Sequence, residues 1–207
     1  MKQSNYELMR DRMRSEFVKY NQERMIQKFG LSCDDDFLYL TFVSRDYRIN
    51  RENGTVEWSE DGFCSSQEAN YNESMTIYDV LCYSKADCRP ADKFCPLHAV
   101  KGVTKTLAVQ GGMFQEVAQG FQKNLPALKA ACRALGEPIQ LVGDVTARLR
   151  AFPFLAVTFQ FWEADEEFPP SLKFMYDENI LDYMHFETVY FMTWHILERL
   201  REVMEEC

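Results

Sequence analysis

The stretch VTARLRAFPFLAVTFQFW, Val145 to Trp162, decides the class of the fold. In its first half Val145, Ala147 and Leu149 alternate with Thr146, Arg148 and Arg150, which is the period of two expected of a half-buried β-strand. Pro153 interrupts the pattern, and the residues from Phe154 to Trp162 are then apolar on both faces. A strand that can bury both faces belongs in the middle of a sheet. Two such strands, separated by one short break, point to an antiparallel arrangement.

Moving outward, Phe186, Val189, Tyr190, Thr193, Ile196, Leu197, Leu200 and Met204 recur at helical spacing almost to Cys207. This last helix is expected to pack on the sheet. At the other end Met9, Met13, Phe17 and Tyr20 place an amphipathic helix within Asn5 to Phe29, with Gly30 positioned to stop it. After an acidic turn at Asp34 to Asp36, FLYLTFV reads as a strand. DYRIN and TVEWS flank Asn53-Gly54, a pair that favours a type I′ hairpin. Glu73 to Ser84 reads as a short helix. MFQEVAQGFQKN and PALKAACRALG read as two more, with Pro126 suited to open the second and Gly136 to close it. Prolines 90 and 96 and glycines 102, 111 and 112 make Cys88 to Gly112 a long loop, with TLAV (106–109) as its one short strand. The expectation is one α+β domain over residues 1–207, with a central, mainly antiparallel sheet packed between N-terminal and C-terminal helices.

Composition narrows the function classes. A chain of 207 residues can bury roughly 70% of its unfolded surface in one core. Its 46% hydrophobic content and sixteen phenylalanines exclude a disordered chain. The net charge of -9 argues against nucleic acid and anionic membranes as partners. No apolar run reaches the roughly 18 residues a membrane span needs, and the first residues carry no apolar signal region, so a cytoplasmic protein is expected. Seven cysteines, an odd number with no CxxC pair, are expected to be reduced thiols.

The candidate site is FWEADEEFPPS, Phe161 to Ser171, where the apolar strand runs into four carboxylates and two prolines. One reading is that the charges only solvate the end of a sticky strand. The other rests on stiffness: Pro169 and Pro170 hold the exit extended while the strand pins the entrance. Trp162, Glu163, Asp165, Glu167 and Phe168, with Asp144 nearby in sequence, then become candidate ligand-binding residues, and Asp144 and Asp177 would be needed to complete any cation site.

Gly143-Asp144, Phe152-Pro153, FWEADEEFPPS, Met175-Tyr176-Asp177 and DYMHFE together resemble the C-terminal signature of a prokaryotic domain-of-unknown-function family, DUF3786. YRINRENGTVEW and VLCYSKADC resemble its N-terminal half, so the likeness covers most of the chain. The resemblance implies a setting in anaerobic bacteria and archaea and assigns no reaction. Some members of the family are joined to a four-cysteine iron–sulfur domain similar to that of corrinoid proteins, which points toward one-carbon or corrinoid metabolism. This chain has no such cysteine cluster.

Other constellations are weaker. Cys88, Cys95 and His98 lack a fourth ligand unless Cys82 or Cys64 folds over them, so no metal is assigned. His185 and Glu187 open the last helix, and His195 lies on it where a structural, hydrogen-bonded role is expected. No nucleophile elbow or phosphate loop is present. The preferred function is a small-molecule or cofactor-binding accessory protein, the cofactor being unknown. The first alternative is an enzyme using Glu163 or Asp165 as acid, base or metal ligand. The second is a protein–protein adaptor, and the aromatic content is compatible with a homodimer.

Overall fold

The protein, seen here in a computed structural model, is described over residues 4–103 and 112–206. The TLAV strand expected at 106–109 lies outside the described residues.

The α+β class is as expected, and the strands divide between two antiparallel sheets. The chain opens with α1 (Asn5–Phe17) and α2 (Gln22–Phe29), where one continuous helix was expected. Asn21 makes the difference: its side chain accepts from the Arg24 N–H and so starts a new helix. The first sheet follows, β1 (Ser32–Cys33), β2 (Phe37–Phe42), β3 (Arg45–Asn50), β4 (Val56–Ser59) and β5 (Gln67–Glu68), paired in chain order. Then come α3 (Tyr71–Tyr83), β6 (Phe94–Cys95), α4 (Gln115–Gln122) and α5 (Leu125–Ala134). The chain ends with β7 (Gly136–Pro138), β8 (Val145–Phe152), β9 (Leu155–Trp162), β10 (Ser171–Asp177) and α6 (Phe186–Glu206).

The second sheet has the order β6-β10-β9-β8-β7, so the doubly apolar β9 is central, as its composition requires. β10 was not anticipated, although Leu172, Phe174 and Tyr176 alternate with Lys173 and Met175. The two prolines ahead of it drew attention to a loop instead.

Turn chemistry departs from expectation in three places. Residues 51–54 form a four-residue hairpin loop closed by the Asn50 N–H to the Thr55 carbonyl, and of these only Gly54 has positive φ, at 75°. The two-residue hairpin with type I′ signs lies instead between β2 and β3, where Val43 (φ 47°) and Ser44 (φ 56°) both adopt the left-handed region. For a β-branched valine this conformation is strained. Gly136 does not cap α5; Leu135 does, and Gly136 enters β7, where a Cβ would collide with the Arg148 carbonyl oxygen.

The sheets meet at this strained turn. The Val43 N–H donates to the Ala151 carbonyl at 2.8 Å, and Phe42 stacks on Phe152 with centroids 4.6 Å apart. The stack continues from Phe152 to Phe154 and on to Tyr183. One hydrophobic core thus runs through both sheets, and α6 packs along it against α3 and α5. Among the described residues no helix is long and apolar enough to cross a membrane.

Candidate functional site

The acidic strand exit has little free chemistry. Glu163, Asp165, Glu166, Glu167 and Asp144 are exposed, and Phe168 is 65% exposed. Asp144 does approach the loop, accepting the Glu163 N–H at 2.8 Å. Asp165 accepts the N–H groups of Glu167 and Phe168 at 2.8 and 2.7 Å, which closes a tight local turn and holds its carboxyl below the usual range. Trp162 is half-buried beneath the Lys173 ammonium, 5.5 Å from its ring. An open depression beside it is lined by Gln119, Gln122, Lys123 and Pro170, of which only Pro170 belongs to the candidate stretch. Asp177 stands at the far end of β10, about 20 Å away at the rise of a strand. It is buried and accepts the N–H groups of Ala91, Asp92 and Asn179. The structure therefore brings Asp144 to the loop and keeps Asp177 from it.

Cys88, Cys95 and His98 do not converge either. Among the described residues no group of three or more His, Cys, Asp or Glu side chains could hold a metal ion. The six described cysteines are free. Burial pushes the thiols of Cys82 and Cys132 up to about 12 and raises those of Cys88 and Cys95, so none of these four is a ready nucleophile at neutral pH.

Polar side chains do converge elsewhere, around Tyr83 at the end of α3. Asp79, one turn earlier on that helix, reaches across to the start of α6. Its Oδ2 accepts the His185 backbone N–H at 2.7 Å and its Oδ1 lies 2.6 Å from Nδ1 of the same histidine. A carboxylate in that position fixes the proton on Nδ1 and leaves the lone pair on Nε2. Asp79 is 7% exposed in its side chain and His185 60%, so a buried acid orients an open base. The His185 ring meets Tyr83 edge-on at 5.0 Å and borders a cavity of about 230 Å³ lined also by Leu181, Met184 and Phe186.

Tyr20, whose ring meets Tyr83 edge-on at 5.8 Å, borders a second cavity of about 280 Å³ between α2 and the end of α3. Arg24, Met25, Lys28, Leu81 and Cys82 line it. The Lys28 ammonium donates to the carbonyl and hydroxyl of Ser84 at 2.9 and 2.6 Å, closing the C-terminus of α3. Of these residues the sequence singled out His185, with Cys82 only as a conditional metal ligand. Asp79 lies 106 positions earlier and had no local signal to connect the two.

A third cluster is buried beneath the strained turn. The Tyr47 hydroxyl donates to Glu73 Oε1 at 2.6 Å and lies 3.2 Å from His195 Nε2; Glu73 Oε2 accepts the Asn70 N–H and so completes the capping box of α3. Arg45 bridges Glu60 and Glu202, both at 2.9 Å, and lies over Trp58 at 3.8 Å. Arg199 pairs with Glu202 and donates toward the Val43 carbonyl. Burial, with the Glu73 carboxylate beside it, keeps the Tyr47 hydroxyl protonated far above its usual range. His195 is thus buried and lies within hydrogen-bonding distance of Tyr47 through Nε2.

Residues 21–199 match the family model described as Domain of unknown function (DUF3786). The chain belongs to the DUF3786 family. Neither the curated proteins nor the solved structures give a match. The DUF3786 match takes in α2, both sheets, Asp79 and His185, so the Tyr83 cleft lies within the family domain, whereas α1 lies outside it.

Proposed function

We propose that this DUF3786 protein is a small-molecule or cofactor-binding accessory protein whose ligand occupies the cleft around Tyr83. The observation that carries the reading is the Asp79–His185 pair: a buried carboxylate orients an exposed imidazole toward an apolar-lined cavity. An oriented hydrogen-bonding group on an apolar wall is what fixes a ligand's position. The six free cysteines fit a reducing cytoplasm, and the family likeness suggests anaerobic metabolism as the setting. The exposure and local bonding of the acidic loop support its reading as a solvated strand end.

Enzymatic action is the second reading, and the same pair favours it over Glu163 and Asp165. An imidazole held at Nδ1 by a buried acid has its Nε2 available as a general base, an arrangement neither exposed carboxylate has.

A thermal-shift screen against divalent metals, corrinoids, folates and nucleotides tests both. A ligand at about a hundred times its dissociation constant should raise Tm by roughly 5 to 10 °C. The shift is expected to disappear in His185→Gln while that variant keeps its own Tm. Loss of the shift in Glu163→Ala or Asp165→Ala instead would return the site to the acidic loop. Absence of any hit would favour a protein partner.

A further inference from the structure

Arg24 and Lys28 lie four residues apart on α2, one helical turn, and face the same cavity. Like charges in that relation repel, so the pairing is unfavourable unless an anion sits between them. Among the described residues no aspartate or glutamate lines the cavity to supply one, and the two acids that act on the Cys82 thiol, Glu16 and Asp79, are engaged by Lys19 and His185. Lys28 is half-buried; it donates to the neutral carbonyl and hydroxyl of Ser84 and interacts with the Cys88 thiol, which burial raises. The remaining lining adds no negative charge: the Cys82 thiol is pushed up to about 12 by burial, and the Tyr20 hydroxyl to about 12 by its bond to Tyr83. Met25 and Leu81 give the cavity an apolar floor.

We propose that this cavity seats the anionic group, phosphate or carboxylate, of a small molecule, with the Arg24 guanidinium as its hydrogen-bonding fork and Lys28 as its fixed charge. The proposal rests on the reading of the Tyr83 cleft as a ligand site and names the chemistry of that ligand. Its body would extend past Tyr83 toward His185.

Calorimetric titration with inorganic phosphate and, separately, with acetate, against chloride at constant ionic strength, tests the seat. Saturable binding of either anion is expected in the wild-type protein; tighter phosphate binding indicates a phosphate-bearing ligand, and tighter acetate binding a carboxylate. Arg24 is exposed, so its variants should fold. Arg24→Ala is expected to bind about tenfold more weakly, as for one lost charge-assisted contact, and Arg24→Glu not at all. Lys129→Ala, which removes the same charge from an exposed lysine on α5, should bind as wild type. Failure of both anions to saturate, or equal binding by Arg24→Glu, overturns the anion seat. Screening hits that depend on His185 but not on Arg24 would then keep the cleft and discard the anion.

Discussion

Two regions of this protein concentrate charge in opposite ways. At the β9 exit, Glu163 to Glu167 are adjacent in sequence and exposed, and the Asp165 carboxylate bonds to the backbone of its own loop. Beneath the Val43-Ser44 turn, Arg45, Glu73, His195 and Arg199 are scattered over more than 150 positions, each is less than 8% exposed, and they bond to Tyr47, Glu60 and Glu202, with Arg45 and His195 also approaching Glu73 at 3.7 and 3.6 Å. Dense charge in a sequence is easily seen because nothing nearby shields it, and for the same reason it is solvated. Charge that matters to the fold is diluted among core positions.

The contrast is broken most directly at Glu73. In Glu73→Ala the Tyr47 hydroxyl loses its acceptor, Arg45 loses one counter-charge, and α3 loses half of its capping box. Removing one partner from a buried network costs about 3–5 kcal/mol, or roughly 10 °C in Tm for a chain of this length. Urea unfolding is the measurement. A cost below about 1 kcal/mol would mean that the network is no more important than the acidic loop.

The turn above the network offers a change of the opposite sign. Ser44 is exposed at φ 56°, a conformation that suits glycine at the second position of a type I′ turn. Ser44→Gly should raise stability by about 0.5–1 kcal/mol, seen as a small upward shift of the urea midpoint. Val43 cannot be relieved in the same way, because its side chain is fully buried against the core. A neutral or negative result for Ser44→Gly would show that the turn is held by its surroundings without strain.

What could be read from sequence follows the same division. The central place of β9 came from its apolar composition, the hairpin from β3 to β4 from the Asn53-Gly54 pair, and α6 from periodicity, all of them local properties. The turn at Val43-Ser44 could not be read, because its residues carry the wrong local preference and tertiary packing imposes the geometry: the Val43 N–H bonds to Ala151 and Phe42 stacks on Phe152. Asp79 was illegible for a related reason. On α3 it looks like an ordinary helical acid, and only the approach of α6 makes it the partner of His185. Gly136 was misread because a glycine after a helix suggests a cap, whereas the constraint comes from the Arg148 carbonyl on the neighbouring strand.

The smallest effects belong to the exposed acids. Glu163→Ala should move stability by less than about 0.5 kcal/mol, as for a surface position without a buried partner. Asp165 differs only through its turn, and acid titration isolates that share. The Glu167 and Phe168 N–H groups lower its folded pKa, as the Tyr39 hydroxyl and the Phe37 N–H lower that of Asp34, while the Ser59 and Ser65 groups bring Asp61 to about 2. A depressed carboxyl stabilises the fold above its unfolded pKa, near 4, and that contribution is lost as pH falls through the folded value. Tm should therefore decline between about pH 4 and pH 2. Asp165→Asn keeps an oxygen for the two N–H donors but cannot titrate. Its Tm should lie slightly below wild type at pH 7, and the gap should close as pH falls and Asp165 takes up its proton. A gap that persists to pH 2 would show that the Asp165 charge contributes nothing, and that hydrogen-bond geometry alone holds the end of β9.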